Sequence, residues 1–283
     1  MTRAALDGTV YDDLVIGPGF VGGAICRQLR DAGRDVSAVS RSGDAPEGVD
    51  GYAGDVTDGD LELPAAATLY YLVSAGGRSE ATYRAAYVEG LRNVVAAAGL
   101  DDGDDTDGAG EERDAPTLVY ASSTGVYGVS DGSWVDEETP AEPATDTGAV
   151  LAEAEAVARE AGGTVVRLSG LYGPGRTGIE RYLGDVTVKR GYTNRIHRED
   201  AARAMRAARA ASDDGHDLYL AVDDEPVDRH DLARWLSEHT GRPHGELVDE
   251  RARTHKRCRN DRLRGTGWEP AFPTYREGYR AIL

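Results

Sequence analysis

Leu14-Val15-Ile16-Gly17-Pro18-Gly19-Phe20-Val21-Gly22 decides how this chain folds. A short apolar run of strand formers ends in G-x-G-x-x-G, and Phe20 to Arg30 then reads as a helix. The first glycine of such a motif permits a tight turn, the second admits a pyrophosphate close to the backbone, and the third lets helix and strand pack closely. Free N–H groups at the helix start then face the phosphate charge. In a chain with 36 glycines the same pattern also arises as a plain strand–helix turn. Here strand, motif, helix and a second strand at Val36–Val39 follow one another in register, which predicts dinucleotide binding at Gly17, Gly19, Phe20, Val21 and Gly22.

The end of the second strand reads Val39-Ser40-Arg41-Ser42. A cofactor without a 2′-phosphate wants an Asp or Glu there for its ribose diol. None is present, and Ser40 with Arg41 suits a 2′-phosphate, so NADP is expected over NAD. Two other readings stay open: Arg41 as a surface or adenine-stacking arginine, and Asp44 reaching the ribose. Asp55, in Gly54-Asp55-Val56-Thr57, either takes the adenine amino group or serves as a turn aspartate. Val56 and Ser74, beyond the third and fourth strands, complete the expected cofactor set.

Strand-like and helix-like segments continue to alternate. Thr68–Val73, Leu118–Ser122 and Thr164–Leu168 read as strands, and 80–98 and 148–161 as helices. In the latter helix Val150, Leu151, Ala154, Val157, Ala158 and Ala161 share one face, which should pack on the sheet. The expected class is α/β, a Rossmann-type doubly wound parallel sheet with a smaller C-terminal substrate lobe. Residues 1–170 would form the dinucleotide domain and 171–283 the substrate side, partly interleaved with it. The acidic, Gly-rich stretch 101–116 reads as a surface loop. The helices expected over 200–211 and 228–240 each open on an aspartate suited to capping.

The formal net charge is −18, and only Lys189 and Lys256 among the basic residues are lysines. Dense carboxylates with scarce lysine fit a cytoplasm rich in salt, where screening removes self-repulsion. Such a surface is a poor match for nucleic acid, which needs clustered positive charge. No apolar run is long enough for a membrane span and no secretory h-region precedes Asp13, so a cytoplasmic protein is expected. Cys26 and Cys258 fit no metal-ligand spacing, the six histidines are scattered, and no metal site is expected.

Four further segments carry a resemblance. Ala121-Ser122-Ser123-Thr124-Gly125-Val126-Tyr127-Gly128 is similar to an SSxxVYG strand end, and Arg167-Leu168-Ser169-Gly170-Leu171-Tyr172-Gly173-Pro174-Gly175 to R-x-x-N-x-YGPG. Asn194-Arg195-Ile196-His197-Arg198-Glu199-Asp200-Ala201 is similar to VHVDDVA, and Gly267-Trp268-Glu269-Pro270 matches GWxP. Together they resemble the extended short-chain dehydrogenase/reductases, the NAD-dependent epimerase/dehydratase group, whose substrates are commonly nucleotide sugars. The resemblance implies a catalytic role for Ser123. It places Tyr87, Thr124, Tyr127, Thr147, Tyr172, Arg176 and Arg195 around the substrate.

The departures carry equal weight. The family's Tyr-x-x-x-Lys pair falls on Thr147 and Leu151, and residues 136–161 contain neither tyrosine nor lysine. A threonine hydroxyl is too weak an acid to replace the tyrosine, and leucine brings no charge to lower a neighbour's pKa. Tyr87 stands where the family has asparagine; it and Tyr127 are phenols expected near the nicotinamide, with a packing role the stronger reading for each in a chain of 14 tyrosines. His197 reads as a structural histidine or a base. Decay of the catalytic residues over a retained fold resembles the atypical branch of the superfamily. Two functions follow: an NADP-dependent oxidoreductase or epimerase/dehydratase-like enzyme on a small-molecule substrate, or a non-catalytic NADP(H)-binding sensor or regulator. Monomer and homodimer both stay open.

Overall fold

The computed structural model describes residues 8–77, 79–101 and 115–283. The acidic stretch expected to be a surface loop therefore lies almost wholly outside the described residues.

β1 (Val10–Ile16) feeds α1 (Gly22–Asp31), followed by β2 (Val36–Ser40), β3 (Asp50–Ala53) and β4 (Ala65–Tyr71). A helical run follows, made of α2 (Glu80–Tyr83), a π-helical turn (Arg84–Glu89) and α3 (Gly90–Ala97). Then come β5 (Thr117–Ser123), the short β6 (Trp134–Val135), α4 (Asp146–Glu160) and β7 (Thr164–Leu168). Short strands β8 (Gly170–Tyr172), β9 (Thr187–Arg190), β10 (Tyr192–Thr193) and β11 (Arg195–His197) lead to α5 (Arg198–Ala210) and β12 (Leu218–Ala221). The remainder is β13 (Val227–Asp228), α6 (Arg229–Thr240), β14 (Glu246–Arg251), β15 (Arg257–Cys258), α7 (Asp261–Gly265) and α8 (Tyr275–Arg280).

Seven strands form one sheet in the order β12-β7-β5-β4-β1-β2-β3, every pair parallel. The expected doubly wound fold is present. Its strands read as near-continuous apolar runs because helices cover both faces. Successive residues of β1 and β4 point to opposite sides: Val15 and Tyr70 pack with Ile25 and Leu29 of α1 and Met205 of α5. Leu14, Ile16, Leu69 and Tyr71 pack with Leu91, Val94, Val150 and Val157 of α3 and α4. A separate cluster joins Tyr172, Tyr182, Leu232, Leu236, Tyr275 and Tyr279.

The order reverses between β1 and β4, which opens a crevice at the carboxyl ends of these strands, where ligands bind in such sheets. A buried charged network stiffens the neighbouring end of β5. Arg167 on β7 is held by Glu155 on α4 at 2.6 Å, with both side chains about 5–6% exposed. Ser122 also donates to Glu155, and Arg167 donates to the Tyr127 phenol.

Asp228 caps α6 as expected, accepting from the His230 N–H at 2.9 Å. Asp200 does not cap α5. That helix starts earlier, with His197 as its cap, because Asp200 is fully buried and accepts from the Ala271 and Phe272 N–H groups at 2.9 and 3.0 Å. The aspartate thereby pins the segment after Gly267-Trp268-Glu269-Pro270 to the start of α5. Both cysteines are free and buried, and the described residues contain no cluster able to hold a metal ion. Among them no helix is long and apolar enough to cross a membrane.

Removing one partner of a buried ion pair strands the other charge. Glu155→Ala should lower stability by about 3–5 kcal/mol in urea unfolding. A loss below about 1 kcal/mol, the scale of an exposed pair, would deny the network that role.

Candidate dinucleotide and substrate cleft

The turn between β1 and α1 is built on its glycines. Gly17 has φ +89°, and a Cβ there would lie 2.9 Å from the Leu72 carbonyl oxygen on the next strand's loop. A Cβ on Gly22 would meet the Gly17 carbonyl oxygen at 2.2 Å, so only glycine lets α1 seat against the turn. Gly19 differs, since a Cβ there would have nothing within 4 Å, and Gly19 lines the cleft. The open space over its backbone is the approach that a pyrophosphate needs. No side chain caps the start of α1, which leaves its amide charge turned to the same space. The turn therefore fits a dinucleotide.

The cleft has a volume of about 880 Å³ and runs past three groups of residues. At one end lie Ser40, Arg41, Ser42, Asp44, Asp55 and Val56. Arg41 is exposed and makes no hydrogen bond or ion pair among the described residues. Asp44 is engaged, its carboxylate accepting from the Ser42 hydroxyl at 2.8 Å. Asp55 accepts from both the N–H and the hydroxyl of Thr57, and these bonds, aided by the charge of Arg41, hold its carboxyl below the usual range.

In the middle, beyond Gly17, Gly19, Phe20 and Val21, stand Ser74, Tyr83, Tyr87, Ser122, Ser123 and Leu151. The Ser123 oxygen accepts from the Gly125 N–H at 3.1 Å, which fixes the rotamer and leaves the hydroxyl hydrogen free to point into the cleft. The far end holds Ser169, Gly170, Arg176, Arg181 and Arg195. Arg195 is buried and lies within 5.8 Å of the rings of Tyr172, Tyr182 and Tyr279. Its Nη2 donates to the Tyr279 phenol, its Nε has no partner among the described residues, and no carboxylate pairs with it there. Arg176 lies over the Phe20 ring at 5.4 Å.

The expected residues are thus largely gathered, with five exceptions. Gly22 lies behind the turn as its packing glycine and does not line the cleft. Tyr127 is buried, its phenol held between Arg167 and the Asp136 carbonyl, and Thr124 is buried beside Ser123. Tyr172 is fully buried against Tyr279, ring centroids 4.5 Å apart. Thr147 sits at the α4 N-terminus, its hydroxyl 3.3 Å from that of Thr145. None of Thr124, Tyr127, Thr147 or Tyr172 lines the cleft. His197 is buried as a helix cap, accepting from the Glu199 N–H, and does not line the cleft, which leaves it the structural role. Arg181, Tyr83, Ser169 and Leu151 reach the cleft without having been expected there. Tyr83 carried a signal, four residues before Tyr87 on one helical face; Arg181 and Ser169 carried none.

A parallel sheet in this order with a glycine turn at its switch point defines a dinucleotide-binding protein of the Rossmann type. A model of the NAD dependent epimerase/dehydratase family matches residues 14–220, and the chain belongs to that family. Protein YeeZ of Escherichia coli K12 is 35% identical over 117 residues, 40% of this chain and 42% of the relative. The match to this curated relative thus spans less than half of its length. Among solved structures, a Methylobacillus flagellatus protein described as an NAD-dependent epimerase/dehydratase is 30% identical, with TM-score 0.73 over 97% of this chain and 98% of that one. MoeE5, solved with UDP-glucuronic acid and NAD, has TM-score 0.78 at 21% identity, covering 96% and 97% of the two chains. At that identity the likeness is one of fold.

The second and third glycines of the turn should respond in different ways to alanine. Gly22→Ala should destabilise the fold, while Gly19→Ala should leave the melting temperature unchanged and weaken dinucleotide binding in calorimetry. Binding unaffected by Gly19→Ala would remove the turn from the phosphate site.

Proposed function

We propose that this chain is an NADP-preferring oxidoreductase or epimerase/dehydratase-like enzyme acting on a nucleotide sugar or a related alcohol or carbonyl compound. The observation that carries the reading is one continuous cleft that joins Gly19, the uncommitted Arg41, Ser123 and the arginine-lined end. Bound NADP would accept or supply a hydride; the chain binds, orients and shields. Arg41 would pair with the 2′-phosphate, and Asp55 would meet the adenine. Val56 and Ser74 would line the cofactor's two ends. Ser123 would hydrogen-bond the reacting oxygen of the substrate from a rigid strand end. Arg176 and Arg195 are suited to substrate phosphates through charge-assisted bonds. In this reading 1–170 is the dinucleotide domain and 171–283 the substrate side, sharing the sheet through β12.

A second reading, an NADP(H)-binding sensor without turnover, is favoured by Leu151 facing the cleft and Thr147 standing outside it. Turnover of nucleotide sugars with NADP⁺ or NADPH in molar potassium chloride, lost in Ser123→Ala, supports the enzyme. Tight cofactor binding without turnover on any of them supports the sensor. The high-salt assay suits a chain of net charge −18.

Cofactor choice is tested separately. Arg41→Ala should weaken NADP(H) by about 1.5–3 kcal/mol, the scale of a charge-assisted hydrogen bond, with little effect on NAD(H). Equal losses for both cofactors would sink the assignment.

A further inference from the structure

We propose that Tyr87 is the proton donor of this cleft, giving its phenolic hydrogen to a substrate carbonyl oxygen during reduction, in the role left vacant by the missing Tyr-x-x-x-Lys pair. The proposal rests on the dinucleotide-dependent reading above and adds to it a residue and a direction of reaction.

Elimination narrows the choice. Among the described residues, those lining the cleft include no His, Lys, Glu or Cys, and both aspartates, Asp44 and Asp55, lie at the Arg41 end. Ser122 is committed to Glu155, and the remaining aliphatic hydroxyls are too weakly acidic to lead a proton transfer. Tyr127 and Tyr172 are walled off in the core. Two phenols remain, Tyr83 and Tyr87, with ring centroids 5.2 Å apart. Tyr87 is the one set within the π-helical turn Arg84–Glu89, and the nearby Ser74 and Ala75 act to lower its pKa.

The helix is built to present it. In an uninterrupted α-helix the Gly90 N–H would bond the Ala86 carbonyl. That carbonyl is taken instead by the phenol of Tyr71, reaching across from β4, and the Gly90 N–H bonds Ala85, five residues back. The turn holds one residue more than an α-helix does, which rotates the side chains preceding it by about 100° relative to those after it. Gly90 locks the arrangement, since a Cβ there would lie 2.7 Å from Val56 Cγ2 and 2.8 Å from the Tyr71 hydroxyl. Such π-helical turns concentrate at functional positions. Tyr87 in turn packs on the apolar cluster containing Val126 and Leu151.

A lysine-assisted tyrosine can serve as base or acid; a phenol on an apolar floor is held protonated, since burial pushes its pKa up and outweighs the lowering influence of Ala75 and Ser74. The protonated form is therefore the one that meets the substrate. In the step proposed, the Tyr87 Oη–H bond breaks as an O–H bond forms on the substrate. The carbonyl carbon takes a hydride from a reduced nicotinamide dinucleotide, which is thereby oxidised. The phenolate, half-buried at the cleft wall, regains its proton from water.

The test combines placement with turnover. Tyrosines labelled with ¹³C at Cζ are observed by NMR, with the Tyr87 peak identified by its loss in Tyr87→Phe. Saturation with NADP⁺ should move that peak, whereas 2′,5′-ADP, which lacks the nicotinamide, should leave it in place. In single-turnover reduction of a panel of aldehydes and ketones, 4-keto nucleotide sugars included, Tyr87→Phe should slow the step by about 100-fold or more, with NADPH affinity within about twofold of wild type. Tyr83→Phe should slow the step far less than Tyr87→Phe does. A Tyr87 peak unmoved by saturating NADP⁺, or undiminished turnover in Tyr87→Phe, overturns the proposal and leaves the cofactor reading standing. A wild type that binds NADPH yet reduces nothing in the panel overturns both the proposal and the oxidoreductase reading, in favour of the sensor.

Discussion

Glu155 and Arg167 join elements that would otherwise meet only through apolar contact. The carboxylate comes from α4 and the guanidinium from β7, while Ser122 at the end of β5 and Tyr127 beyond it are tied into the same network. Taking two charges out of water is costly, and the cost is offset only where every hydrogen-bonding position is filled. Here the guanidinium reaches both carboxylate oxygens and a phenol, and the phenol passes its own hydrogen to the Asp136 carbonyl. Geometry this demanding tolerates few alternative packings, so the network fixes where Ser123 stands. Relaxing it would blur the strand end on which the reaction side of the cleft is arranged.

The cofactor side rests on a different constraint, the absence of side chains. At Gly17 and Gly22 the backbone itself fills the space a Cβ would need, while at Gly19 the space is left open. Two of these glycines serve the fold and one serves the ligand, a division that spacing alone does not reveal. The cleft then grades from a mixed polar rim near Arg41 to a cationic end around Arg176, Arg181 and Arg195.

Much of this was legible in the sequence because it follows from local pattern. Strand periodicity, the glycine turn and Arg41 at the end of β2 are each settled within about ten residues of chain. Misplaced residues failed for a tertiary reason. Tyr127 and Tyr172 sit in motifs that border the cleft, yet their rings turn into the core toward Arg167 and Tyr279, partners 40 and more than a hundred positions away. Asp200 looked like a helix cap, but its carboxylate is drawn to the backbone near Phe272. The π-helical turn was equally hidden, since it depends on a phenol from β4 reaching an oxygen in another element. Arg181 gave no signal at all, one arginine among many until the fold brings it to the cleft.

β12 carries a consequence for how the molecule comes into being. It pairs with β7 although some fifty residues of short strands and helix lie between them, so the sheet acquires its last strand only when Leu218–Ala221 arrives. Until then, β7 is an edge with unpaired amides and a fully buried sequence, the kind of surface that templates wrong association. Parallel pairing over such separations is slow to form because the loop must close before any contact rewards it. A nascent chain emerging from the ribosome would carry a finished glycine turn well before it carried a finished sheet. The half that reads as self-contained in sequence is therefore dependent, in time, on the half that follows it.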